Sequence, residues 1–384
     1  MRARLGRRIG IGLAVILVLA GGLAVASRVL DPVNVLYKRM KASSPYIYEE
    51  IDPALTGTDP SGLITLRSAE DISAARHALL GWVYGTLPPA RRKAKLHNPY
   101  AGWSHAPEIA DWKGLGSVGQ YYINVRPDVI SYAYLLRPLD GAGGPGDGKA
   151  VIYHNGMAST FTAARDWLEP LLAAGWTVLA FDQLGYGENT REVTCDRQAD
   201  GSPIAAGTRC LANLHSDLAL IDNPVALHVE PVLAGLDLLE SLGFDEVDAL
   251  GFSAGAATVT LAAAIDTRLR RTVAAAGILP PYLREGQDQL FGIARELAEN
   301  GPVSFLDLFI LAGSGEGRLY QQLFNRYDRC CFRNVKGRHY EGAVKEALDG
   351  TGAGGGFAVT IDESHARHAI SAAGAATVLD VLSN

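Results

Sequence analysis

The chain has 384 residues, 48% of them apolar and 20% charged, with 35 Lys and Arg against 41 Asp and Glu and a net charge of −6. That balance excludes a disordered, collagen-like or disulfide-dense small protein. A mildly acidic chain also lacks the basic surplus of a general nucleic-acid binder. The length accommodates two or three domains, or one large α/β domain.

Arg2, Arg4, Arg7 and Arg8 precede residues 9–26, which contain no charge. A basic stretch followed by an apolar run is the pattern of a leader, and Ala24, Val25 and Ala26 supply small residues for cleavage. The run also nears the lower length limit of a spanning helix. Residues 1–30 are therefore expected to be a signal peptide or an N-terminal membrane anchor, its arginines on the cytoplasmic side. Either way, the chain after Ser27 is exported, to the periplasm or the exterior.

Residues 31–118 form an N-terminal lead-in. Within it Ile72, Ala75, Leu79 and Val83 recur at helical spacing, Ser68 supplies an N-cap, and Pro88-Pro89 ends the helix. The basic run Arg91, Arg92, Lys93 and Lys95 reads as a solvated turn. From residue 119 the pattern changes to short apolar runs alternating with helical segments. Strands are expected over residues 121–125, 129–136, 150–154, 177–181, 247–252, 272–278, 306–312 and 357–361. Helices are expected over 161–174, 229–242 and 254–265. Residues 140–149, with five glycines and a proline, make a surface connection. Alternating strands and helices imply an α/β fold, its mostly parallel central sheet covered by helices on both faces.

Cys195 and Cys210 bracket a turn-rich loop that a disulfide could pin in an exported protein. Cys330 and Cys331 are adjacent, and a vicinal pair, separate partners or buried thiols all fit them. The cysteine spacing has no zinc pattern, and Glu363, His365 and His368 lack the spacing of a metal site. Without a phosphate loop or dinucleotide fingerprint, no cofactor is expected. Trp103, Trp112, Tyr121 and Tyr122 read as packing.

Gly251-Phe252-Ser253-Ala254-Gly255 fits Gly-x-Ser-x-Gly between an apolar run and an alanine-rich helix. Such a turn strains the serine backbone, requires glycine neighbours and lifts the hydroxyl to the carboxyl end of a strand. With this motif the chain resembles the α/β-hydrolase superfamily from about residue 120 onward. Tyr153-His154-Asn155-Gly156-Met157 is similar to the family's His-Gly oxyanion turn, with Asn155 separating the two. Phe181-Asp182-Gln183-Leu184-Gly185-Tyr186-Gly187 is similar to its Asp-x-x-Gly-x-Gly segment, whose aspartate braces a loop.

The resemblance implies a serine nucleophile, Ser253, followed in chain order by an acid and a histidine. The acid follows the penultimate strand in the family. Taking residues 306–312 as that strand and Gly313 as its closing glycine puts the acid at Glu316, with Asp328 and then Asp307 as alternatives. His368 is the favoured base because Ser371 can cap a final helix just beyond it, in a segment similar to the family's His-x-Ile-Ser. His365 and His339 are its rivals. The backbone N–H groups of Met157 and Ala254 are the oxyanion donors. Residues 187–229 and 280–304 are long connections expected to form a cap and set selectivity. The implied activity is cleavage of a carboxylic ester or related acyl bond in a small-molecule or lipid-like substrate. A peptidase or amidase with the same residues, or a non-catalytic membrane-associated binding protein, are the alternatives.

Overall fold

The computed structural model describes residues 21–384 apart from 23–24, 27–28, 86–93, 98–105, 140–143, 145, 199, 212–216, 218–219, 285–291 and 331. Residues 1–20 of the leader or anchor expected over residues 1–30, the helix stop at Pro88-Pro89, Arg91 to Lys93, Trp103 and Cys331 lie outside the described residues. No helix among the described residues is long and apolar enough to cross a membrane.

The strands are β1 (Lys95–Leu96), β2 (Leu115–Arg126), β3 (Val129–Pro138), β4 (Ala150–His154), β5 (Thr177–Phe181), β6 (Glu192–Thr194), β7 (Arg209–Leu211), β8 (Val247–Phe252), β9 (Leu269–Ala275), β10 (Leu319–Asn325) and β11 (Phe357–Asp362). Nine of them form one sheet in the order β1-β2-β3-β5-β4-β8-β9-β10-β11, and β6 and β7 form a small hairpin. Pairing is antiparallel from β1 to β5 and parallel from β5 through β4 to β11. Every residue of β4, β5 and β8 is buried. Continuous apolar runs such as Val151 to Tyr153 and Thr177 to Phe181 follow from covering both faces of a parallel sheet.

The principal helices are α1 (Asp31–Lys41), α2 (Ala69–Tyr84), α3 (Arg165–Ala173), α4 (Pro224–Ser241), α5 (Ala254–Ile265), α6 (Gly292–Asn300), α7 (Phe305–Gly313), α8 (Arg338–Gly350) and α9 (Ala372–Ser383). The Ser68 hydroxyl caps α2 by accepting from Asp71 N–H at 3.1 Å. Ile72, Leu79 and Val83 bury against the same core as β8 and α5. Arg76 of α2 donates to the Ala264 and Leu311 carbonyls at 2.8 and 3.0 Å. It thereby satisfies acceptors left over at the C-terminal ends of α5 and α7. Residues 60–84 are thus packed into the main body, and the sheet begins at Lys95.

One element reverses the sequence reading. Residues 306–312, expected as a strand, lie in α7, which is buried from Phe305 to Gly313. The Ser304 hydroxyl accepts from Asp307 N–H at 3.0 Å and starts the helix. A short apolar run cannot distinguish a buried helix from a buried strand by periodicity. The neighbouring strand is β10, whose Gln321 and Gln322 break the apolar signal. Both are buried, and Gln322 is held by the Tyr340 hydroxyl, which donates to it at 2.5 Å, and by its own donation to Ile278 O at 3.3 Å.

Candidate active site

Ser253 stands between β8 and α5 with φ +54° and ψ −121°, a conformation unfavourable for a residue with a side chain. The surroundings force it. A Cβ on Gly255 would lie 2.1 Å from His154 O, and one on Gly251 would lie 2.4 Å from Gly255 O. Glycine at both positions lets the elbow close against the end of β4. The serine therefore projects from the carboxyl end of β8, directly before the amide groups that open α5.

His368 lies between β11 and α9. Its Nε2 is 2.9 Å from Ser253 Oγ, and its Nδ1 is 2.7 Å from Asp328 Oδ2. A carboxylate only accepts, so the proton belongs on Nδ1, leaving Nε2 to accept from the serine hydroxyl. Asp328 is fully buried, and its other oxygen accepts from Cys330 N–H at 2.7 Å. Burial pulls the His368 pKa down, but the hydrogen bond to Asp328 and its charge outweigh that, and the pKa stands above the ordinary histidine value.

The segment carrying His368 is held from both sides. Ser371 caps α9 by accepting from Gly374 N–H at 2.9 Å, while its own hydroxyl donates to Asp362 at 2.5 Å. Asn325, the last residue of β10, donates to the Ala369 carbonyl at 2.7 Å. His365 is buried and turned away, its Nε2 3.4 Å from Asp362 Oδ2. Burial would raise the Asp362 pKa, but hydrogen bonds from His365, Ser371 and Ser364 hold it well below the usual carboxylate range. His339 accompanies Thr58, whose carbonyl is 3.2 Å from its Nε2.

Glu316, the sequence-based choice of acid, does not meet His368 in this structure, where Asp328 does. It sits exposed in the turn before β10, beside Gly354. Asp328 follows β10 by three residues. In a parallel sheet the two ends of a seven-residue strand are roughly 20 Å apart at about 3.3 Å per residue, and the serine is at the carboxyl end. The same counting rule, applied to β10 in place of residues 306–312, reaches Asp328. Asp307 is a structural brace, accepting from Thr65 N–H and the Thr65 hydroxyl, both at 2.8 Å. The contribution of Asn325 had no sequence signal beyond its place at the end of an unrecognised strand.

Gly156 abuts the serine: a Cβ there would stand 2.8 Å from Ser253 Cβ and 3.4 Å from Oγ. Met157 follows Gly156 in the chain, as Ala254 follows the serine. The turn is pinned by Asn155, which accepts from the Tyr153 hydroxyl at 2.8 Å and donates to Ser159 at 3.1 Å. Burial pushes the neighbouring His154 pKa down to about 4, so this imidazole is neutral. Asp182 accepts from Phe161 N–H at 2.5 Å and has Gly187 packed against its carboxylate. It braces the loop after β5.

Cys195 and Cys210 form a disulfide at the base of the β6–β7 hairpin. Among the described residues, no three or more His, Cys, Asp or Glu gather into a metal-binding group. Glu363 pairs with Arg326 instead.

A family model for the alpha/beta hydrolase fold matches residues 149–370. No match was found among curated protein sequences. Among solved structures, a glucuronoyl esterase from Solibacter usitatus superposes with a TM-score of 0.53 at 12% identity, over 90% of this chain and 98% of that one. A methylesterase superposes with a TM-score of 0.52 at 13% identity, over 83% of this chain and 65% of that one. The sheet order, the strained serine between β8 and α5 and the family match agree, and the chain belongs to the α/β-hydrolase fold family.

Proposed function

We propose that the protein is a serine hydrolase that cleaves a carboxylic ester or related acyl bond through an acyl-serine intermediate, with Ser253, His368 and Asp328 as its triad. The observation that carries this reading is the continuous hydrogen-bonded relay from Ser253 Oγ through both nitrogens of His368 to the buried Asp328. Ser253 attacks the acyl carbon as its proton passes to His368 Nε2. The resulting imidazolium is stabilised by Asp328 and returns the proton to the departing alkoxide. Water then repeats the sequence on the acyl-enzyme, releasing the acid and restoring Ser253. The N–H groups of Met157 and Ala254 hold the oxyanion in both steps, the second reinforced by the N-terminus of α5.

Residues 187–229 and 280–304 form the cap in this proposal. Residues 1–30 deliver the chain across a membrane, as a cleaved leader or an anchor at residues 9–26, in keeping with the Cys195–Cys210 disulfide. The two structural neighbours are named as esterases. At their identities the likeness carries the fold, and the ester reading rests on the relay.

The test is an activity screen against p-nitrophenyl esters of increasing chain length and aminoacyl anilides, with fluorophosphonate labelling in parallel. Ester turnover and labelling should both vanish in Ser253→Ala. Labelling retained by that variant would remove the nucleophile assignment, and anilide turnover without ester turnover would make the protein an amidase.

A further inference from the structure

The acid loop and the base loop meet a third segment, supplied from the other end of the chain. Lys38 of α1 donates from Nζ to the Tyr327 carbonyl at 3.1 Å and to the Ala366 carbonyl at 3.0 Å. Tyr327 immediately precedes Asp328, and Ala366 is two residues before His368. One ammonium therefore joins the two loops whose spacing sets the Asp328–His368 hydrogen bond.

The surroundings make this a built contact. Tyr48, Tyr327 and Ala366 form a small buried cluster of their own, with Val35, Ala42 and Ile47 packed against it. Arg326 donates to the Tyr48 carbonyl at 3.0 Å and to Glu49 Oε2 at 2.7 Å, and Asn334 donates to the carbonyls of Tyr46 and Glu50, each at 2.7 Å. Residues 44–50 thus hold the acid loop at both shoulders, while Lys38 holds its centre. Burial sets the Lys38 pKa below the ordinary lysine value; of the charges around it, Asp328 favours the ammonium form and Arg329 and Arg333 oppose it.

We propose that Lys38 is a positioning residue for the triad, fixing the Asp328 loop against the His368 loop through the Tyr327 and Ala366 carbonyls. The inference rests on the serine-hydrolase reading above. A shift of about 1 Å in a catalytic group can cost on the order of a hundredfold in rate, so loss of this clasp should appear in turnover as well as in stability.

The experiment uses the full chain, with p-nitrophenyl acetate as substrate and active sites counted by fluorophosphonate titration. Lys38→Met should lower kcat per titrated site about tenfold or more and leave KM within about twofold, because the residue faces the loops and not the substrate. Lys38→Arg, which keeps the charge and the donors, should recover most of that loss. Asp31→Asn is the control: it breaks the α1 ion pair to Arg367 in the same base loop, and kcat per site should be unchanged. A merely structural Lys38 would lower the thermal transition and the number of titratable sites while leaving kcat per site at the wild-type value, and that result overturns the proposal. If Lys38→Met is not recovered folded, Lys38→Gln carries the same comparison and is judged by the same criteria. Ser253→Ala is run alongside. Activity retained there overturns the triad reading and the Lys38 proposal together, whereas activity lost there with Lys38→Met unaffected overturns Lys38 alone.

Discussion

Replacing Asp328 by Asn keeps the side-chain shape and removes only the charge and one acceptor. Asp328 is fully buried, so no water can replace what is lost, and its 2.7 Å bond to His368 Nδ1 is charge-assisted. The carboxamide can present its NH2 group to Nδ1, which drives the ring proton to Nε2. His368 then faces Ser253 with a donor and cannot take the hydroxyl proton. A wrong tautomer blocks the transfer, so kcat should fall by about 10³–10⁴, equivalent to roughly 4–5.5 kcal/mol of barrier. The pH profile supplies a second readout. In the parent protein, kcat/KM should rise with pH through a His368 pKa above the ordinary value. Asp328 is what raises that pKa against the effect of burial, so in Asp328→Asn the residual activity should have its acid limb at lower pH. Stability has its own sign. With a raised folded pKa, the His368–Asp328 pair contributes fully below the unfolded histidine pKa, and its contribution fades as pH rises through the folded value. The assay is p-nitrophenyl ester hydrolysis across pH, with Glu316→Gln as the comparison. Asp328→Asn within tenfold of wild type, with Glu316→Gln inactive, would refute the reasoning.

Three further outcomes are expected. Ser253→Gly should be inactive and more stable by about 1 kcal/mol in thermal melts, because glycine accepts φ +54° without strain; a lower melting temperature would contradict the strain argument. His368→Ala should lose several orders of magnitude in kcat while His339→Ala stays near wild type. His365→Ala should chiefly lower stability, since it removes a buried partner of Asp362; an inactive His365→Ala beside an active His368→Ala would reverse the base assignment. Replacing Cys195 and Cys210 by Ser should cost on the order of 3 kcal/mol by the loop-closure model for a separation of 15 residues. Equal denaturation midpoints for the two forms would show that the hairpin needs no crosslink.

The sequence carried much of this geometry because parallel sheets write themselves plainly. Strands β4, β5 and β8 and helix α5 begin and end where their apolar runs do, and the elbow announces itself through its glycines. Ser371 marked the start of α9 because an N-cap is a local contact. The carboxylate that meets His368 was not the first choice from the sequence, for a reason that is not local. In α7 the apolar residues are buried all round, so no polar face reveals the helical period. In β10 the glutamines are buried polar groups whose partners, Thr360 for Gln321 and Tyr340 and Ile278 for Gln322, come from elsewhere in the chain. Each element imitated the other, and the acid followed the wrong one. The association of residues 31–50 with the loops carrying Asp328 and His368 combines hydrogen bonds to main-chain carbonyls with ion pairs between residues hundreds of positions apart, which no local pattern encodes.

In the proposed relay, the order of the residues along the chain governs when the protein can first become reactive. Ser253 is synthesised first, Asp328 next and His368 last, with the helix that mounts the base following it. The strained elbow draws on β4, β8, β9 and α5, all of which precede Asp328 in the chain, and without a base its hydroxyl is an ordinary alcohol. A chain ending before residue 368 would lack the histidine that, in this proposal, deprotonates Ser253. The arrangement works as a built-in delay. If the proposed relay operates, acyl transfer has to wait until nearly the whole chain has been assembled, and a chain cut short before residue 368 has no base for Ser253.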